Sequence, residues 1–346
     1  MNEHAERLAP VLIGTCNRIN HFKALVESLQ SCYWAKETEL YIAIDSPYAD
    51  EVREVNHQIK SYSKAITGFA KVHIIDRPYN YGITENFNQA MDAIFQQYAT
   101  LILLEDDNIV AKNFLVFMNK ALRTFEHDPK CFAICGYNFT SEPIEEPHLT
   151  DIYTAPYQSG WGVGYWKVKY SHPDQNATER PDAFFLNLFN LIKSHYYSPH
   201  LFPMYVGSYL SGKVFGDTQI SLHVLKRHLY CIYPRLTKVI NKGNDGSGVH
   251  CGSGCDRYHS DFSSTDQKEF HLFINKKINY QHAELNRQWF NKIIKIKSHK
   301  RIYACIIYFT ASALGRVRTI KIKDSIRNTI RIGKENASNY FKGNHA

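Results

Sequence analysis

Three consecutive acids, Glu105, Asp106 and Asp107, end the apolar run Leu101–Leu104 in "TLILLEDDNIV". Carboxylates gathered at one strand end suit a hard divalent cation. Mg²⁺ or Mn²⁺ takes oxygen ligands and accepts a site with few protein groups when phosphate oxygens complete it. Such a cation neutralises charge on a leaving pyrophosphate, as an enzyme using a sugar nucleotide requires. The plain alternative is a solvated turn in which Asp106, Asp107 or Asn108 caps the next helix. The chain has no G-x-x-x-x-G-K loop and no G-x-G-x-x-G after its first strand, so phosphates need another holder, and a metal would serve.

The elements that must position these acids follow from periodicity. "PVLIGT" (10–15), "ELYIAIDS" (39–46), "KVHIIDRP" (71–78) and "TLILLEDD" (100–107) read as strands. Between and after them, "NHFKALVESLQ", "DEVREVNHQIKSY", "ITENFNQAMDAIFQQY" and "AKNFLVFMNKALRTF" carry apolar residues at helical spacing. Phe22, Leu25, Val26 and Leu29 share one face, with Asn20 expected as N-cap. Phe87, Ala90, Met91 and Ile94 share another, with Gly82 expected at the turn into that helix and Asn86 either facing a ligand or solvated. Alternation of this kind implies βαβ units, a mostly parallel sheet and a ligand site outside the carboxyl ends of its strands. Thr15, Asn17, Arg18, Asp45, Ser46 and Glu105 to Asp107 would gather on that rim.

The chain has 346 residues, 44% hydrophobic, with 8 scattered cysteines and a formal net charge of +8. That allows a large core and excludes a disordered chain. Reduced cytosolic thiols are the simpler expectation for the cysteines, and "MNEHAERLAP" lacks the apolar segment of a signal peptide. Beyond Leu285 the only acids are Asp324 and Glu335. The longest apolar stretch, 302–315, is too short to span a bilayer.

"PVLIGTCNR" and "LLEDDNIVAKNFLVFM", at their spacing, resemble glycosyltransferases of the GT-A fold, of the N-acetylglucosaminyltransferase I type and related bacterial enzymes. The resemblance covers roughly 9–138. It returns in "SGWGVGYW" (159–166), similar to a segment that walls the acceptor side, and in "FGDTQISLHVLKRHLYCIYPRLTKVINKGNDGSGVHCG". It implies an α/β fold with a mostly parallel central sheet flanked by helices. Asp107 would bind the metal, with Glu105 and Asp106 facing ribose and sugar. Thr15, Asn17 and Arg18 would contact the nucleotide, and Asp45 the base. Asp217 would be the catalytic base, in a single displacement with inversion. Two departures stand: "FGDTQ" has one acid where relatives carry a pair, and "IDSPY" lacks the usual polar continuation.

An acceptor hydroxyl is a poor nucleophile near neutral pH and needs a carboxylate to take its proton. Asp217 could do this, or could simply cap the helix "TQISLHVLKRHL". His250, in the glycine-rich loop 241–255, could reach the metal or pyrophosphate on closure, or be solvated. A zinc site in "HCGSGCDRYH" matches no common spacing. Trp161, between two glycines, would stack on a sugar face, whereas Trp166 reads as core.

The expected organisation is a catalytic domain over 1–285, with a nucleotide-sugar half (1–138) and an acceptor half (139–285), and a basic helical extension over 286–346. The extension would lie on an anionic membrane surface or pack on the domain. The function expected is metal-dependent transfer from a nucleotide-sugar, UDP-sugar by resemblance, to a glycan or lipid-linked acceptor in cell-surface polysaccharide synthesis. The enzyme would be cytoplasmic, peripheral on the inner membrane, and without a nucleic-acid partner. A nucleotidyltransferase would carry a Gly-rich basic loop after the first strand, which "GTCNRINHF" does not. A non-catalytic sugar-nucleotide or glycan-binding protein is the other rival.

Overall fold

The structure is a computed structural model that describes residues 7–140, 150–170, 172, 179, 181–243, 245, 266–294 and 298–325. It divides into two compact units, one of Met1–His172 with Ile220–Ile293, the other of Pro173–Gln219 with Ile294–Ala346.

The first unit is built on strands β1 (Val11–Thr15), β2 (Glu39–Ile44), β3 (Lys71–Asp76) and β4 (Thr100–Glu105), joined by helices α1 (Ile19–Gln30), α2 (Arg53–Ala65) and α3 (Ile83–Phe95). All four strands pair in parallel, in the order β3-β2-β1-β4. The expected βαβ units are therefore present. Each helix buries the face its periodicity marks: Phe22, Leu25, Val26 and Leu29 on α1, and Phe87, Ala90, Met91 and Ile94 on α3. The N-cap expectation fails for Asn20. Helix α1 begins at Ile19, with Arg18 at the cap position making no side-chain cap bond, since a guanidinium has no acceptor to offer the first N–H groups; it donates instead to the acids that follow β4.

A short strand β5 (Asn108–Val110) follows directly on β4 and leads into α4 (Phe114–Thr124). The sheet then continues with β6 (Cys131–Cys135), β7 (Ile152–Ala155), β8 (Val163–Trp166) and β9 (Tyr230–Pro234), giving β3-β2-β1-β4-β8-β6-β9-β7. Strand β8 runs antiparallel to both β4 and β6, and β7 antiparallel to β9, while β6 and β9 are parallel. This is a mostly parallel α/β sheet flanked by helices, the arrangement that the resemblance implies. Trp166 is core, as expected, with its indole N–H donating to the Leu122 carbonyl at 3.1 Å. Strand β10 (Val239–Asn241) leaves the main sheet and pairs antiparallel with β5, placing Asn241 opposite Asn108. Helix α8 (Lys276–Ile294) runs past the boundary expected at 285 and buries Ile278, His282, Asn286 and Phe290.

The second unit holds α5 (Leu188–Tyr197), α6 (Leu201–Ser211), the first turn of α7 (Gly216–Lys226) and α9 (Ser298–Leu314). Its core is aromatic: Phe185 lies 4.9 Å from Phe202 and 5.1 Å from Tyr205 between ring centres, and Tyr308 of α9 meets Phe202 at 5.4 Å. Among the described residues no helix is long and apolar enough to cross a membrane.

Candidate active site

The parallel β1–β4 register sets Gly14 beside Glu105, so the residues that follow each strand emerge side by side. Thr15 Oγ1 donates to Asp106 Oδ2 at 3.0 Å. Arg18, one turn of chain later, reaches both acids: Nη1 donates to Asp107 Oδ2 at 2.8 Å and Nη2 to Asp106 Oδ1. From the other side, the β5–β10 pair brings Asn241 Nδ2 to Asp107 Oδ1 at 2.7 Å, where Asn108 Nδ2 also donates at 3.1 Å. The Lys242 N–H donates to the Asp107 carbonyl at 2.8 Å. Gly243 then passes so close that a Cβ there would stand 2.2 Å from Asp107 Oδ2. Only glycine allows this approach without displacing the carboxylate.

Asp106 and Asp107 are buried to 5% and 8% side-chain exposure, against one guanidinium at 17%. Two anions thus share a single fixed cation. Burial pushes the Asp106 carboxyl up to about 6, outweighing the nearby Arg18 charge, with Asp107 adding to the rise and Thr15 opposing it. A cluster that carries excess negative charge out of water is poised to accept more positive charge.

Asp45 is equally buried but differently engaged. Its carboxylate accepts from the backbone N–H of Tyr81 and Gly82, each at 2.8 Å, and from Asn80 Nδ2 at 3.2 Å. It thereby ties the end of β2 to the turn before α3, where Gly82 takes φ +74° as the helix's cap residue. Asn86 neither faces open space nor is solvated. It is buried, donating to the Ala43 carbonyl and accepting from Arg77 Nε. Asn17 donates to the Tyr48 hydroxyl at 3.1 Å. Trp161 is half-buried and meets Tyr137 edge-on at 4.7 Å. Glu105, half-buried, closes β4, its own N–H donating to Asn108 Oδ1.

Thr15, Arg18, Asp106 and Asp107 are thus brought into mutual contact. Asp217 belongs to the second unit, as an acid in the first turn of α7, a position the helix dipole favours. His250, and with it the suggested "HCGSGCDRYH" cluster, lies outside the described residues. Asn241 and Gly243 were missed by sequence reasoning. The one signal for them was the Asn-Lys-Gly start of the glycine-rich loop.

The donor set fits a hard divalent cation. Two neighbouring carboxylates already turn to one positive group, the Arg18 guanidinium, which stands in for a cation. Among the described residues no group of three or more acids, histidines or cysteines assembles. Few protein ligands are what Mg²⁺ or Mn²⁺ needs where a diphosphate completes its shell.

The GNT-I family model matches residues 2–189. An Arabidopsis thaliana alpha-1,3-mannosyl-glycoprotein 2-beta-N-acetylglucosaminyltransferase is 23% identical over 199 residues, which is 54% of this chain and 43% of that protein. The chain therefore spans under half the length of this relative. Among solved structures, S. aureus TarS 1-349 aligns over 66% of this chain and 60% of that one, with 13% identity and a TM-score of 0.35. TarS 1-349 in complex with UDP-GlcNAc aligns over 45% and 44%, with 15% identity and a TM-score of 0.32. Those scores are too low to establish a common fold. The family match covers more than half of the sequence and contains β1, β4 and the whole acid triplet, and on it the chain belongs to the GNT-I family of glycosyltransferases.

Proposed function

We propose that the protein transfers a sugar from a nucleotide-sugar donor to a hydroxyl of a glycan or lipid-linked acceptor. The observation that carries this reading is the pair of buried carboxylates, Asp106 and Asp107, held together at the carboxyl rim of a parallel sheet. Asp107, with Asp106 beside it, holds Mn²⁺ or Mg²⁺. When bound, that ion offsets the charge that develops on the departing diphosphate. Arg18 supplies a planar fork of donors suited to phosphate oxygens. Thr15 and Asn17 flank the nucleotide. Asp45 orders the 80–82 turn from below and presents that turn to the base. Glu105 faces the donor ribose, and Trp161 covers the acceptor side of the sugar. The GNT-I membership and the plant relative's name favour a UDP-linked N-acetylhexosamine as donor.

Asp217 takes the acceptor hydroxyl's proton as the new glycosidic bond forms, and inversion follows from one displacement. His250 is assigned beside the diphosphate by its place in the glycine-rich loop. The test is product formation from nucleotide-sugar with Asp217→Asn. Turnover falls while donor affinity stays, whereas a binding module is indifferent to the change.

For location, the outer face of α9 carries Ile302, Tyr303, Ile306 and Phe309, all at least 46% exposed, and Arg316, Arg318, Lys321 and Lys323 follow it. Apolar side chains with adjacent cations favour peripheral attachment to an anionic membrane, consistent with synthesis of a surface glycan. Vesicle flotation checks this. Binding to phosphatidylglycerol vesicles that is lost in Ile306→Asp supports attachment, and absence of binding removes it.

A further inference from the structure

We infer that Arg18 is the resident counter-cation of the acid pair. Its guanidinium closes the site in the ligand-free protein, and a divalent cation enters only as that guanidinium moves off. This rests on the reading of Asp106 and Asp107 as the pair that holds the cation.

The two carboxylates offer four oxygens. Asp106 Oδ2 accepts from Thr15. Asp107 Oδ1 accepts from Asn108 and Asn241. These donors are neutral and fix the two carboxylates in place. The remaining oxygens, Asp106 Oδ1 and Asp107 Oδ2, both accept from Arg18. A bidentate guanidinium normally takes both oxygens of one carboxylate, whereas here it bridges one oxygen from each of two. A cation seeking the least encumbered anionic oxygens must take the same two atoms. It cannot share them with a positive guanidinium in a site this buried, where like charges repel strongly. Gly243 packs beside Asp107 Oδ2 and Arg18 Nη1, leaving little space for a third body.

Exchange is balanced when an anion arrives together with the cation. A nucleoside diphosphate gives the released guanidinium a new partner of the geometry it prefers. Cation and diphosphate therefore each improve binding of the other, by the same factor. Arg18 is a positioning residue in this step, setting the coupling between the two ligands.

The experiment is Mn²⁺ binding to the full chain, followed by paramagnetic resonance of free Mn²⁺, with and without UDP. Wild-type protein binds Mn²⁺ weakly alone and about tenfold or more tightly with UDP. Arg18→Gln binds Mn²⁺ about tenfold more tightly than wild type without UDP, and UDP no longer improves it. Its melting temperature without metal falls, since two buried carboxylates lose their partner, and Mn²⁺ raises it by a larger step than in wild type. Should Arg18→Gln not fold, Arg18→Lys carries the test. It keeps the charge without the fork that bridges two oxygens, and without UDP it binds Mn²⁺ more tightly than wild type. Equal or weaker Mn²⁺ binding by the folded variant without UDP overturns the inference. No Mn²⁺ binding by either protein, even with UDP, shows instead that the cation reading has failed, and the inference falls with it.

Discussion

Two buried polar regions of the first unit invite comparison. At the sheet rim, Asp106 and Asp107 share one guanidinium. Beneath α8, Asn138, Tyr153, Tyr157 and Asn286 form a network with no formal charge. Tyr153 donates its hydroxyl to Asn138 Oδ1 at 2.9 Å, and Asn286 Nδ2 donates to the Tyr157 hydroxyl at 2.8 Å. His282 stacks on Tyr153 with ring centres 4.0 Å apart. Both regions place polar groups in the interior, yet they solve burial differently. The neutral network fastens α8 to β7, and the groups it leaves without a hydrogen-bond partner, Asn286 Oδ1 and the His282 ring nitrogens, are uncharged. The rim leaves charge in excess and depends on a partner that can be exchanged. Buried excess charge calls for a partner that can be exchanged, whereas an unpaired neutral group is a smaller cost that the fold can carry.

The largest expected effect breaks the rim. Asp107→Asn removes one anion of the pair, and kcat/KM for sugar transfer falls on the order of 10³-fold, read in a steady-state assay. The melting temperature holds or rises, since repulsion from Asp106 is relieved. Next comes Gly243→Ala, whose added Cβ overlaps the Asp107 carboxylate. Transfer falls about 10- to 100-fold, the range for losing support of a metal ligand, and a chain of unchanged thermal stability and full activity would refute the close approach.

The neutral network answers to stability instead. Tyr153→Phe removes the hydroxyl that meets Asn138 and Asn286. It costs about 1–3 kcal/mol in denaturant unfolding, the price of leaving buried groups unpaired, with transfer rate unchanged. The smallest effect is a pH slope. Burial lowers the His282 imidazole to about 3, with Arg235 adding to the fall. The native state therefore holds it neutral, while the unfolded chain protonates it below its ordinary value near 6.5. Its stabilising contribution is complete above that pH and is lost as pH falls toward the native value, by at most about 1.4 kcal/mol per pH unit. His282→Gln flattens this slope in urea titrations across that window.

The difference between the regions also explains what could be read from the chain. Strands β1 to β4 and helices α1 to α4 follow from short apolar runs and apolar periodicity, with β1 and β2 buried on both faces and α1 and α3 on one. The acid triplet stood out because three charges interrupt a buried strand. What surrounds it did not. Asn241 lies 134 residues from Asp107, and its role exists only because β10 leaves the main sheet to pair with β5. Arg18 was legible as a rim residue but not as the bridge between two carboxylates, which depends on side-chain reach. Asn20 illustrates the opposite error: local cap chemistry was sound, but α1 begins at Ile19 and already includes Asn20. Asn86 was expected at a surface because a helical asparagine usually is, yet the Ala43 carbonyl and Arg77 enclose it. The tail read as one extension is divided, with α8 through Ile293 in the first unit and the remainder in the second.

Titration calorimetry of a UDP-sugar donor, in Mn²⁺ and again in excess chelator, tests the central claim most directly. Affinity should fall by at least about tenfold on chelation in wild type and be indifferent to chelation in Asp107→Asn. Donor affinity that survives chelation unchanged in the wild-type protein would contradict a cation-bearing carboxylate pair as the seat of donor binding.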